Sequence, residues 1–188
     1  MNKTQKILSL NYKFTYLDFG LTEYRTYFLS SALIIGSVLL PHAFHQFHLA
    51  GQVFLPIYFF VLIGAYKFGY KVGVITGIFS PLISFFLTGM PMLMILPFVI
   101  VKGIILGLIA GFFVTKFRKL SMLSLFLVVI SYQSIGFLIV YLFTHNLNLS
   151  TTDLILGYPG LILQVVGGYT LLRLIGGYDG KKFETNSK

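Results

Sequence analysis

Six stretches of almost unbroken apolar residues, at about 25–41, 52–68, 71–88, 93–115, 120–143 and 156–175, alternate with short polar or glycine- and proline-marked interruptions. Each stretch approaches the roughly 20 residues that cross a bilayer core as a helix. None alternates apolar with polar residues as a barrel strand does, and a helix satisfies its own backbone hydrogen bonds in lipid. The interruptions differ in kind. KFGYK between the second and third stretches predicts a tight helical hairpin, TGMPM at 88–92 a short external turn, and KFRK at 116–119 an internal one. THNLNLSTTD at 144–153 reads as an external polar loop. The expected fold is all-α, a polytopic membrane protein with six transmembrane helices and both termini in the cytoplasm. Residues 1–24 would form a cytoplasmic or interfacial segment, 25–176 a single transmembrane domain, and 177–188 a cytoplasmic tail.

Composition agrees with that pattern. Apolar residues make up 56 % of the chain, charged ones only 10 %, and the mean hydropathy is +0.87. A soluble domain is about a quarter charged, so this chain lacks the polar surface to cover a globule in water. It has no cysteine, which excludes disulfides and thiolate metal sites. The opening MNKTQKILSLNYKF has no apolar core followed by a cleavage site, so it does not read as a cleaved leader.

Charge then orients the bundle. With the termini inside, the inner side holds Lys3, Lys6, Lys13, Arg25, Lys67, Lys71, Lys116, Arg118, Lys119, Arg173, Lys181, Lys182 and Lys188. Of the 14 basic residues only Lys102 is left over, and the external loops hold none. That one-sidedness is the positive-inside signature. The net charge of +9 is thus a topology signal, and no nucleic-acid partner is expected. The same topology puts His42, His45 and His48 in the first external loop and His145 in the third.

Lys102 lies deep in the fourth span, within MILPFVIVKGIILGLIAGFF. An ionisable group there costs about 2.5–3.5 kcal/mol on insertion scales. It sits roughly nine residues, or about 14 Å at ~1.5 Å per residue, from the outer end, which is too deep for easy snorkelling. The fifth span carries Tyr132 and Gln133 between Ser131 and Ser134, and the sixth carries Gln164 below Tyr158 and Pro159. One buried polar residue is commonly just an interhelical hydrogen bond. Three helices with polar atoms at one level of the outer half point instead to a pocket open to the outside. No acidic residue lies within a span. An anionic or carbonyl-bearing ligand could therefore supply a counter-group for Lys102, although a desolvated lysine can also sit neutral.

Small residues recur at spacing four: Gly69, Gly73 and Gly77 in the third helix, Gly103, Gly107 and Gly111 in the fourth, and Ala32 with Gly36 in the first. Such faces let helices approach closely. For the third and fourth helices the expectation is packing within the chain; for the first, docking to another membrane protein stays open.

LPHAFHQF, then LPIYFFVLIGAYKFGYKVGVITGIFSPLISFFLTGMP, then YPGLILQ resemble the substrate-binding S components of energy-coupling factor (ECF) transporters. The likeness covers roughly residues 30–170 and is to the vitamin-type branch. The nickel and cobalt branch depends on an N-terminal Met-His, which Met1-Asn2 does not match. The resemblance implies a six-helix subunit of an ABC importer in a prokaryotic cell membrane, which captures a vitamin or related micronutrient from outside. Its implied partners are a coupling transmembrane subunit, met by the Ala32 and Gly36 face, and two cytoplasmic ATPases. The implied pocket lies in the outer half between helices four to six and the external loops, where Lys102, Tyr132, Gln133 and Gln164 already point. Tyr58, Met90, Tyr158, His42 and His45 complete the candidate substrate-binding set. Two departures stand out: Tyr58 occupies a position where relatives often carry His, and Val101-Lys102 replaces a carboxylate often found in the fourth helix.

The histidines admit three readings. Stepping by three, His42, His45 and His48 would gather on one side of a helix, drifting about 60° per step, and with His145 could hold zinc, cobalt, a corrinoid or haem iron. They could equally hydrogen-bond within a lid over the pocket, or lie at the interface without a role. The lid is the expectation, with no metal and no cofactor. Catalytic constellations are missing as well: no Ser–His pair with an orienting acid, no paired carboxylates, no H-E-x-x-H and no phosphate-binding glycine loop. The chain reads as a binding subunit, with a standalone channel or facilitator as the alternative.

Overall fold

The computed structural model describes residues 16–46 and 56–185. Among these residues the chain forms α1 (Tyr24–Gln46), α2 (Pro56–Phe68), α3 (Tyr70–Thr88), α4 (Leu96–Phe117), α5 (Met122–Thr144) and α6 (Leu147–Ile162). A π-helical turn, Leu163–Gly167, then leads into α7 (Gly168–Thr185), and no strand is present among the described residues. The fold is all-α, as the apolar periodicity predicts. Among the described residues, four elements are long and apolar enough to cross a membrane: α3, α4, α5 and the Gly157–Gly176 segment running from α6 through the π turn into α7. The apolar parts of α1 and α2 are shorter, and residues 52–55 of the expected second span lie outside the described residues.

The central helix is α2, packed against α1, α3, α4 and α7. Its sequence is apolar nearly all round, the signature of a helix enclosed by others, and Val61, Leu62, Ala65 and Tyr66 are wholly buried. Leu106, Ala110 and Val114 of α4, Leu125 and Val128 of α5, and Leu172 of α7 close the core around it.

The KFGYK hairpin is as tight as its sequence predicts, with one residue between α2 and α3. Gly69 turns the chain at φ 94°, where a Cβ would lie 2.9 Å from Asp18 Oδ1. Glycine enters that region of backbone space at no steric cost. The preceding segment packs against this joint. Leu17 N–H donates to Lys67 O at 2.8 Å, pairing a carbonyl that the end of α2 would otherwise leave open. Phe19 stacks on Phe68 at 6.3 Å, and Asp18 sits 3.8 Å from Lys71 Nζ. Lys67, counted from sequence among the inner-side basic residues, is buried to 1 % exposure in the last turn of α2.

The glycine stripes of α3 and α4 face one another, as expected. A Cβ on Gly103 would fall 2.6 Å from Gly77 O, and one on Gly107 2.8 Å from Val74 N. Pro81 explains part of this contact. It has no N–H, so the Gly77 carbonyl four residues back loses its helical partner. That oxygen lies against the bare Cα of Gly103, where a side chain would collide.

Two polar segments differ from their sequence reading. The stretch at 144–153, expected as a loop, is helical from Leu147 onward, leaving only His145-Asn146 between α5 and α6. Its hydroxyls make this possible: Ser150, Thr151 and Thr152 donate to the carbonyls of Asn146, Leu147 and Asn148. These bonds satisfy polar side chains without breaking the helix. At the other end, α1 continues past residue 41 to Gln46, so the backbones of His42 and His45 belong to a helix end. The remainder of the expected lid, including His48, lies outside the described residues.

Candidate functional site

Helix α5 turns one side into the bundle core and borders a surface groove with the next, where Ile130 and Ser134 are exposed and Gln133 is buried. Along one side, Tyr132 and Gly136 are four residues apart and both buried. Along the neighbouring side, Ile130, Gln133, Ser134 and Phe137 follow the i, i+3, i+4, i+7 spacing of a helix face. Ser121 starts the helix by accepting from Leu123 N–H, while its own N–H donates to Ser124 Oγ. This reciprocal cap fixes where α5 begins and so the register of the residues above it.

On the first side, Tyr132 is fully buried and donates its hydroxyl hydrogen to Gln164 Oε1 at 2.9 Å. Its ring meets that of Tyr58 from α2, with centroids 5.6 Å apart and planes tilted by 47°. Tyr58 is buried in turn, and its hydroxyl lies 3.5 Å from Val99 O of α4. Three of the expected residues, Tyr58, Tyr132 and Gln164, thus form one chain of contacts through the bundle.

Gln164 stands in the π turn. Gly168 N–H bonds to Leu163 O, five residues back, and not to the carbonyl four back. The extra residue rotates the rest of the helix by about 100° relative to an uninterrupted one. Such single-turn π segments recur at functional positions. Apolar periodicity does not reveal the π turn, although Pro159 upstream and the Gly167-Gly168 pair after a buried glutamine are its local marks.

Lys102 is buried to 5 % exposure, so its ammonium is held inside the bundle and not turned toward acyl chains. Its stem crosses from α4 to α5 over Gly136, where an added Cβ would meet Cε at 2.6 Å and Cγ at 2.8 Å. Glycine at 136 is therefore what admits a long side chain between these two helices.

On the second side of α5, a partly open cavity of about 340 Å³ separates α5 from α6. Its walls are Val129, Ile130, Gln133, Ser134 and Phe137 from α5, with Leu154 and Leu161 from α6. Sequence reasoning singled out Gln133 and Ser134 but missed the apolar wall, because nothing in a run of leucines and valines marks which ones face a gap. Gln133 is buried to 4 % exposure, and neither its Nε2 nor its Oε1 has a hydrogen-bond partner among the described residues. Nε2 of Gln164 is likewise unpaired. A buried polar group left unpaired costs about 1–3 kcal/mol, so this interior is built at an energetic loss.

The remaining expected residues do not join this cluster. Lys102 is not part of the cavity wall. Met90 is 44 % exposed in the turn after α3, where its N–H donates to Thr88 Oγ1 at 3.2 Å. Tyr158 is 62 % exposed on α6. His145 caps the end of α5 at φ 49°, its N–H donating to Tyr141 O. The side chains of His42 and His45 lie outside the described set.

On the expected docking face of α1, Gly36 is covered from within. A Cβ there would lie 2.8 Å from the ring of Phe60 in α2, whereas Ala32 is exposed. Ser37, next along α1, lies 2.9 Å from Ser80 Oγ and ties α1 to α3. No family model, curated protein or solved structure matches this chain.

Proposed function

We propose that this chain is a membrane-embedded solute-binding subunit, the S component of an ECF-type importer in a prokaryotic cell membrane. It would cross the bilayer six times with both termini in the cytoplasm, and capture a vitamin or related micronutrient from outside. The observation that carries this reading is the α5–α6 cavity with an unpaired, buried glutamine in its wall, beside the Tyr58–Tyr132–Gln164 chain. Interiors are normally close-packed and their polar groups paired. A partly open hollow with an unpaired amide behind its wall suits a site that completes itself on a ligand. Its volume falls in the range of small-molecule pockets, about 300–1,000 Å³. The near-total asymmetry of Lys and Arg supports the orientation.

No nucleotide-binding motif is present in the chain, so a coupling transmembrane subunit and two cytoplasmic ATPases would supply the drive. The exposed part of α1 around Ala32 is the face left for that contact, since Phe60 already occupies Gly36. The decisive experiment is uptake of a micronutrient panel into proteoliposomes with and without a coupling module and ATP. Accumulation only with the module and ATP is the expected outcome. Equilibrating flux by the chain alone would identify a facilitator and overturn the proposal.

A further inference from the structure

The chemistry of the cavity wall speaks to the class of cargo, an inference that rests on the solute-binding reading above. No charged side chain lines the cavity: its polar members are the Gln133 carboxamide and the Ser134 hydroxyl, and the rest is Val129, Ile130, Phe137, Leu154 and Leu161. An anion placed there would give up its hydration for two neutral groups, and burying an unpaired charge is far more costly than burying an amide. Lys102, the one cation at this depth, belongs to the α4–α5 seam over Gly136 and not to the wall.

The carboxamide itself is more specific. It carries both a donor and an acceptor, and both are unpaired among the described residues while the residue is 4 % exposed. Both atoms lie just behind the cavity wall, shielded by it, and contact with a ligand requires the amide to turn about its soft terminal torsions. A group with one acceptor and one donor side by side satisfies both at once. Amides, lactams, cyclic ureas and the edges of heterocyclic bases have that arrangement; carboxylates and phosphates do not, because they only accept. An acyl chain could fill the apolar part but would leave both amide atoms unpaired.

We propose that the α5–α6 cavity takes an uncharged, largely apolar molecule presenting an amide-like donor–acceptor edge to Gln133. This departs from the sequence-based expectation that Lys102 calls for an anionic ligand.

The test uses the full-length chain purified in detergent, as wild type, Gln133→Leu and Lys102→Met. Small molecules that co-purify are identified by mass spectrometry. Thermal shift is then measured with matched neutral and anionic probes: nicotinamide and nicotinate, panthenol and pantothenate, and biotinamide and biotin. Gln133→Leu removes the two unpaired atoms at similar volume and is expected to fold at least as well as wild type, so its loss of binding is interpretable. Expected are a co-purifying molecule neutral at pH 7, or stabilisation by the neutral member of a pair, retained in Lys102→Met and weakened at least tenfold in Gln133→Leu. A carboxylate or phosphate cargo that survives Gln133→Leu overturns the cargo class and leaves solute capture standing. Protein that carries no molecule and responds to no probe overturns both.

Discussion

The Gly77–Gly103 crossing allows a quantitative test of how α3 and α4 are held together. Replacing Gly103 by alanine puts a methyl group 2.6 Å from Gly77 O, 3.0 Å from Gly77 Cα and 3.1 Å from Gly77 C. All three are backbone atoms, so no rotamer can give way. Restoring an ordinary contact of 3.4 Å or more to the nearest of them requires the helices to separate by about 0.8 Å at this point. A radial gap of that order forfeits a quarter to a half of each dispersion contact across the seam, and the seam includes Gly107 against Val74 as well. Overpacking of this kind costs about 1–3 kcal/mol. The upper end applies because backbone opposes backbone. Alanine recovers about 1 kcal/mol of helix propensity over glycine, leaving a net loss of about 2 kcal/mol. Gly168→Ala is the comparison: Gly168 has helical dihedrals, and its added methyl would meet side-chain tips, Leu62 Cδ2 at 3.3 Å and Leu125 Cδ1 at 4.0 Å, and no backbone atom. Thermal unfolding of the purified protein in one detergent compares them. Gly103→Ala should unfold well below wild type and below Gly168→Ala. The double variant Gly77→Ala/Gly103→Ala should lose less than the two singles together, because one separation relieves both collisions. If Gly103→Ala matches Gly168→Ala, the close crossing is refuted.

Tyr132→Phe removes the hydroxyl that pairs Gln164 Oε1 and leaves that buried carboxamide wholly unpaired, at a cost of about 1–3 kcal/mol. Adding Gln164→Leu should return most of that loss in the same unfolding assay, and a double variant less stable than Tyr132→Phe alone would contradict the pairing. Gly69→Ala forces a side chain into φ 94° and against Asp18, for which about 1–3 kcal/mol of strain is expected, read as a lowered unfolding midpoint. Because the chain has no cysteine, single replacements report topology directly. Asn148→Cys should react with an impermeant maleimide in intact cells and Lys119→Cys only after the inner face is opened, whereas the reverse pattern would invert the proposed orientation.

The linear order of residues determined whatever depends on one helix at a time. Runs of apolar residues set the helical class, since lipid-compatible backbone must pair with itself. KFGYK specified a tight hairpin because its glycine can turn sharply, and the GxxxG spacing of α3 and α4 called for close packing within the chain. The residues of the candidate site were partly visible too: depth along a helix is a matter of counting, and counting put Lys102, Gln133 and Gln164 near one level. Only the tertiary structure decided direction around each helix axis. Gln133 and Tyr132 are neighbours in sequence yet belong to different surroundings, one lining the α5–α6 cavity and the other meeting Tyr58 and Gln164. Lys102 lies at the expected depth but fills the notch of Gly136, and Gly36 meets Phe60 of its own chain. The π turn at Leu163–Gly167 shifts every later side chain of the sixth segment by one residue's rotation, a change no periodicity encodes. Polarity misled at 147–153, where Ser and Thr bond to their own helix and do not end it. The physical reason is common to all these cases. Which side of a helix faces a partner, a gap or lipid depends on what the other helices present to it, and that is a property of the assembled bundle.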